Sequence, residues 1–428
     1  MMQKKAIALG LSVLLVSGLA SCSSNNPPAD STGSSGGSSG PAGEITFMVI
    51  DSFKSDDNPL QASTDAFMEE YPDVKVNIEY VSANDIKEKF TTSALSGAGP
   101  DIVALDSAGY AVDAAASNLL CPLDEDLNPI ADEFYEAQIN SGMYNGSYYA
   151  VPWYMNNMAM YYNQDILDAA GVTELPETWE EFNQALEKIK AAGYDGITMP
   201  YYFCSYFMYA YFYQNENTVI DTSGEKPVSV LATESGQEAW DYLCDFVTEY
   251  QAYPEAIKDA LSWDQTYAPF LQGTCAFLFS GDWANWSLSG SDINYGIAKL
   301  PAGKQASTVM GGYTLSINRN TKNYDTAWAY ISWLTSAEQS QEVLTGYGRV
   351  SARKDADTTQ VLKDNPHLEV FIEQNDVSMA RPAVINISEF DTMFSDAYKE
   401  VILGTKTPDD ALTALDQEIS DWLSKQYA

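Results

Sequence analysis

Residues 44–107 read EITFMVIDSFKSDDNPLQASTDAFMEEYPDVKVNIEYVSANDIKEKFTTSALSGAGPDIVALDS. Three short apolar runs, Ile45–Ile50, Val74–Ile78 and Asp101–Leu105, alternate with two segments of helical period. Short apolar strands that alternate with helices build parallel α/β sheets. The first helix is expected to open at Pro59 behind an Asn58 cap, because the N–H that proline lacks would go unused in a first turn. Leu60, Thr64, Phe67 and Met68 share one face of it, with the small Ser63 between them. The second helix spans Ile86–Leu95. This βαβαβ order predicts a doubly wound sheet whose ligand contacts lie beyond the carboxyl ends of the strands. Asp51 follows the first strand and Asp106 ends the third, so both are candidate polar contacts.

Outward from that unit lies Tyr149–Asn163, YAVPWYMNNMAMYYN, which holds no Asp, Glu, Lys, Arg or His. Pro152 is expected to end the strand before it, since proline cannot extend an interior ladder. Met158–Tyr162 then reads as a new buried strand. Flat rings beside amides suit a polyhydroxylated ligand, whose CH faces stack and whose hydroxyls need oriented partners. Trp153 and Asn156 are candidates on that ground, although a buried strand pair with core aromatics would carry the same residues.

The second half repeats the alternation. Thr178-Trp179-Glu180-Glu181 is a capping box for a helix with Trp179, Phe182, Leu186 and Ile189 on one face. The strand Gly196–Pro200 runs into Tyr201 and Tyr202, and Tyr201 is taken as a ligand contact at its end. Phe207, Met208 and Phe212 read as an aromatic core helix. Thr233 caps a helix expected to reach Tyr250. The helix Trp263–Leu271 leads to strand Cys275–Phe279 and then to Ser280-Gly281-Asp282-Trp283, where glycine permits a tight turn into a helix start. Asp282 and Trp283 are candidates there. Arg381 can fork to ring hydroxyls or to a sugar acid, or it can form an ion pair between lobes. Helices are expected over Glu389–Leu403 and Pro408–Leu423.

Composition narrows the partners. With 428 residues, 45% hydrophobic and 19% charged, the chain can fill two domains. It has 22 Lys+Arg against 60 Asp+Glu, a net charge of −38, which makes nucleic acid and anionic lipid surfaces poor partners. Lys4-Lys5, an apolar run over Ala6–Ala20 and Leu19-Ala20-Ser21-Cys22 make a signal peptide that resembles a bacterial lipobox. Cys22 would be the lipidated mature N-terminus, followed by a Ser/Gly/Pro tether over 23–43. Cys121, Cys204, Cys244 and Cys275 are widely spaced, with no CxxC pattern. They read as buried free thiols in preference to any of their three possible pairings, and neither a metal nor a cofactor is expected.

A set of motifs then falls into order. Tyr71-Pro72-Asp73-Val74, Ser96–Val103, Tyr149–Leu167, Pro176–Trp179, Phe270–Gly273, Gly281-Asp282-Trp283, Leu300–Gly303, Gly311-Gly312-Tyr313 and Thr407–Leu412 together resemble extracellular solute-binding protein family 1. These are maltose-binding-protein-like lipoproteins of bacterial ABC sugar importers. The resemblance implies an α/β fold of two doubly wound lobes with a hinge and an interlobe cleft, periplasmic-binding-protein-like, type II. It implies a signal peptide over 1–21, a lipidated cysteine and tether over 22–43, lobe 1 from 44–154 plus 313–358, and lobe 2 from 155–312 plus 359–428. Trp283 would stack on the ligand, and Tyr313 would line the cleft on the return strand. Val350-Ser351 stands where the family often has a proline-containing turn. The implied ligand is a carbohydrate, the implied partners are ABC permease subunits, and the protein is expected to be a lipid-anchored monomer on the extracytoplasmic face, without catalysis. A polyamine or other cation is the alternative ligand, because acids beside aromatic rings suit it too. A lipid-anchored glycoside hydrolase would need two carboxylates about 5–10 Å apart. A surface adhesin would show repeats, and the sequence has none.

Overall fold

The computed structural model describes residues 40–427 apart from 108, 201–204, 259 and 289. Cys22, Tyr201 and Cys204 therefore lie outside the described residues. The strands that place the site are β1 (Gly43–Ile50), β2 (Val74–Val81), β3 (Ile102–Asp106), β4 (Val151–Asn157), β5 (Ala159–Asn163), β6 (Asp195–Thr198), β7 (Cys275–Ser280), β8 (Tyr295–Ala298), β9 (Thr308–Ile317), β10 (Val350–Ser351) and β11 (Ser378–Met379).

β1 runs parallel to β2 along its whole length, and its Phe47 and Met48 lie parallel to Ile102 and Val103 of β3. The helices Pro59–Glu70 and Ile86–Leu95 make the crossovers. Asn58 caps the first of them, its Oδ1 accepting from the Gln61 N–H at 3.2 Å, and Leu60, Ser63, Thr64 and Phe67 are its buried face. β9 then enters antiparallel between β3 and β4, so the first sheet has the order β10-β4-β9-β3-β1-β2, with β11 beside the start of β9. The second sheet has the order β8-β5-β7-β6.

Two cores result. Phe47, Phe53, Phe67, Trp153 and Tyr330 pack on the first sheet, and Tyr209, Phe212, Trp240, Phe394 and Tyr398 pack with the second. All nine residues of the helix Tyr206–Gln214 are buried, as expected of an aromatic core helix. Cys121, Cys244 and Cys275 are free thiols.

The chain crosses between the sheets at Met158, the one residue separating β4 from β5. Asn157 pins this crossing: its Nδ2 donates to the Phe371 carbonyl at 2.7 Å and to Asn375 Oδ1 at 3.0 Å. β9 returns over the same junction, with Thr308 Oγ1 donating to the Met158 carbonyl at 2.7 Å. Asn157 is thus a structural amide, half of the pair whose other half was a ligand candidate.

Pro152 does not end a strand. It is the second residue of β4, opposite Thr314, at a register shift between Tyr313 and Thr314. β10 pairs only with Met155 and Tyr154, so the missing proline N–H falls beyond that partner. A proline is tolerated inside a sheet where a bulge or a short neighbour leaves no bond to lose. Gly312, next to this bulge, has φ +129°, and a Cβ there would sit 2.1 Å from the Tyr154 carbonyl oxygen. Gly312→Ala is expected to cost about 2 kcal/mol, since neither the backbone conformation nor the facing strand can give way cheaply. The midpoint of urea unfolding measures it.

Candidate functional site

The site is built where strands of both sheets end. After β1 the chain makes a tight turn, Asp51–Phe53. Ser52 Oγ accepts from Arg349 Nη2 at 2.8 Å. The Arg349 guanidinium lies 4.2 Å from the Phe53 ring centre and 4.6 Å from that of Tyr154, a geometry in which the cation meets the negative faces of two rings. Tyr154 in turn stacks on Tyr313, with centres 5.5 Å apart and planes 15° from parallel. Tyr313 faces Asp106 across the β9–β3 ladder. Burial holds the Tyr154 and Tyr313 phenols above their ordinary value, so both are neutral hydrogen-bonding groups.

The second lobe contributes the turn after β7. A Cβ on Gly281 would lie 2.0 Å from the Trp283 ring, so only glycine lets the indole fold back over the turn. Tyr161 donates its hydroxyl to the Gly281 carbonyl at 2.8 Å and fixes the turn from below. Trp283 is half-buried and meets Tyr206 and Trp263 edge to face, both at 6.0 Å. Its indole N–H is buried without a hydrogen-bond partner. Asp282 is 9% exposed. Burial pushes its carboxyl up to about 6, against the opposing pull of Arg349 and of the Trp283 backbone N–H. Arg349 belongs to the first lobe and Asp282 to the second, so this attraction acts across the cleft.

Arg381 ties the lobes directly. Its Nη2 donates to Asp106 Oδ1 of β3 at 3.4 Å, and its Nη1 to Asp391 Oδ2 at 3.1 Å, on the helix Ile387–Ile402 of the second core. Asp391 also accepts from Ser205 Oγ at 2.5 Å and the Tyr209 hydroxyl at 3.0 Å. Burial works against the guanidinium charge, but Asp391 and then Asp106 outweigh it and hold its pKa above the ordinary value. An open groove of about 210 Å³ adjoins Arg381 along the seam, between Ser141 and Val112 on one side and Tyr213 and Ile220 on the other. The ensemble offers aromatic faces, oriented amide and hydroxyl groups and paired charges to a ligand held between two bodies.

A sequence model of the family described as "Bacterial extracellular solute-binding protein" matches residues 51–341, most of the chain. The chain belongs to that family. Among the relatives of this solute-binding protein is the diacetylchitobiose binding protein DasA of Streptomyces coelicolor, 25% identical over 442 residues and covering all of both chains. The galactooligosaccharide-binding protein of Bacillus subtilis is 23% identical over 96% of this chain and 95% of its own. Among solved structures, the sugar-binding protein MalE of Xanthomonas citri superposes with a TM-score of 0.78 at 19% identity, over 90% of this chain and 98% of its own. The cyclic alpha-maltosyl-1,6-maltose binding protein of Arthrobacter globiformis gives 0.77 at 21% identity, over 90% and 100%. These likenesses establish the two-lobed, type II periplasmic-binding-protein fold.

Within this fold the structure gathers Asp106, Asp282, Trp283, Tyr313 and Arg381 along one seam. Asp51 is exposed beside Ser52 at the end of β1. Asn156 is half-buried, its Oδ1 occupying the space a Cβ on Gly311 would need. Trp153 is a correction: it is fully buried in the first core, stacked on Phe53 at 4.5 Å and 19°. Successive strand residues point to opposite faces, so Tyr154 takes the cleft face and Trp153 the core face.

Sequence reasoning did not single out Arg349, Tyr206 or Asp391. The signal for Arg349 was present. The whole chain holds four arginines, Arg319, Arg349, Arg353 and Arg381, in a strongly acidic background. Arginine's fork and weak hydration suit it to interior pairs and to stacking.

Proposed function

We propose that this solute-binding protein captures a carbohydrate, an oligosaccharide, between its lobes and delivers the closed complex to the permease subunits of an ABC importer. The observation that carries the reading is Trp283: a half-buried indole in the cleft with a buried, partnerless N–H, beside Asp282 and opposite Arg349. A ring face with an unmet donor and nearby charged hydrogen-bonding groups matches the CH faces and hydroxyls of a sugar. The names of the relatives support the same class. The moving bodies in this reading are 44–154 plus 313–358 and 155–312 plus 359–428, hinged in β4 near Tyr154 and in β9 near Tyr313. The protein acts as a monomer, tethered through a lipid on Cys22 to the outer face of the membrane. Among the described residues no helix is long and apolar enough to cross a membrane. The role is capture without catalysis.

A thermal-shift screen of the detergent-solubilised full chain against sugars, polyamines and amino acids tests this. A ligand at a hundred times its Kd adds about 2.7 kcal/mol of stability and visibly raises Tm. A shift with oligosaccharides supports the reading; a shift with polyamines alone replaces the ligand class. Trp283→Ala is expected to weaken binding about tenfold or more with little change in unliganded Tm. Loss of stability with affinity intact would place Trp283 in the core. Release of shorter sugars on incubation would make the protein a hydrolase.

A further inference from the structure

The helix Ile387–Ile402 packs in the second core through Ile387, Phe390 and Phe394. Its approach is tied to that core as well, the Ile385 N–H donating to the Tyr427 hydroxyl at 2.9 Å. The first N–H groups of a helix need acceptors from outside it. Asn386 stands at the capping position with φ 59° and ψ 39°, in the left-handed region, and its own side chain makes no capping bond. The acceptor at this position comes from the first lobe. Asp113 Oδ1 takes the Asn386 N–H at 2.6 Å, while Asp113 Oδ2 takes Lys87 Nζ at 2.8 Å. Lys87 Nζ also donates to Ser388 Oγ at 2.8 Å.

The contact is close and well placed to resist opening. A Cβ on Gly109 would lie 3.1 Å from Ile387 Cγ2, so the two segments already meet at van der Waals distance. The Asp113 side chain is 12% exposed and that of Lys87 32%. Asp113 lies on the helix Tyr110–Ala116 that follows β3. Lys87 is in the first turn of the helix after β2, the strand of the first sheet that lies farthest from β4 and β9, where the lobes are hinged. Arg381 ties Asp391, one turn further along the same helix, to Asp106 at the end of β3. The start of this one helix is thus the seat of two separate ties between the lobes.

We propose that Asp113, steadied by Lys87, is an interlobe clasp: closing the cleft supplies the cap that the helix Ile387–Ile402 lacks, and opening removes it. Asp113 is then a positioning residue that sets the balance of closed and open forms, and through it the affinity, without touching the ligand. This rests on the hinged two-lobe reading. Small-angle neutron scattering on the unliganded full chain, with the detergent matched out, tests it. Asp113→Ala is expected to lower the ratio of closed to open forms about fivefold, seen as a larger radius of gyration. Asp113→Asn, whose amide oxygen still accepts from the Asn386 N–H, should keep most of the closed form. Arg381→Met is the control that shows the lobes parting. Asp113→Ala that loses stability in urea with an unchanged or smaller radius, while Arg381→Met enlarges it, overturns the clasp and leaves the hinged reading intact. Asp113→Asn opening as far as Asp113→Ala overturns it too, because capping would then play no part. If neither Asp113→Ala nor Arg381→Met enlarges the protein, the hinged reading fails and the clasp falls with it. Should Asp113→Ala fail to fold, Lys87→Met removes the more exposed partner and should shift the balance in the same direction.

Discussion

Arg381→Met is expected to destabilise the protein by about 3–5 kcal/mol, the range for breaking a buried ion pair and leaving one partner behind. The Arg381 side chain is 10% exposed and Asp391 21%, so the carboxylate left behind cannot be rehydrated well. Ser205 and Tyr209 would still donate to it, which places the loss toward the lower end of that range. The contact to Asp106 adds less, being longer at 3.4 Å and more open to water. The measurement is urea unfolding of the single variant, of Asp391→Asn and of the double variant. The double should lose less than the sum of the singles by at least about 1.5 kcal/mol. Strict additivity would mean that Arg381 and Asp391 are neighbours without being coupled. Because Asp106 and Asp391 belong to different lobes, the same variant should also open the cleft, seen as a larger radius of gyration by small-angle scattering.

The second large effect is a pH dependence. Burial raises the Asp282 carboxyl to about 6 in the folded protein, against 3.8 for the free side chain. The folded state holds this proton more tightly than the unfolded chain does. Its contribution is complete below about pH 4 and is lost as pH rises through about 6. At about 1.4 kcal/mol per pH unit, the loss is about 3 kcal/mol. Burial keeps the neighbouring Tyr154 and Tyr161 phenols above their ordinary value, so Arg349 is the charge that answers Asp282 in this window. Asp282→Asn removes the titration. Stability measured every half unit between pH 4 and 7.5 should show the difference between wild type and variant growing up to about pH 6 and flat beyond it. A constant difference would mean that water reaches the carboxyl. The comparison must be a difference, because many other acids of this chain titrate in the same range.

The physical origin of what was legible is local. The parallel β1–β2–β3 unit follows from apolar runs of strand length, and its helix starts from Asn58-Pro59 and from the Thr178–Glu181 box, where Thr178 Oγ1 accepts from the Glu181 N–H. Gly281-Asp282-Trp283 was legible because a strand that must turn at once into a helix needs a glycine and leaves the next side chains at its end. The cost of Trp153 as a ligand candidate came from the same locality: an aromatic-rich strand shows which residues are apolar, but not which of its two faces meets solvent.

By itself, then, the chain's order of residues determined its element sequence, its two α/β halves and the strand ends that carry Asp106, Asp282 and Trp283. These depend on hydrophobic period, caps and turns, which act within a few residues. Only the tertiary structure decided that Trp153 faces the core and Tyr154 the cleft, that Arg349 lies on Phe53 and Tyr154, and that Arg381 joins Asp106 to Asp391. Phe53 and Arg349 stand almost three hundred positions apart in sequence, and Asp106 and Arg381 stand 275 apart. Contacts of that span are set by which sheets and helices pack together, and no local pattern encodes them.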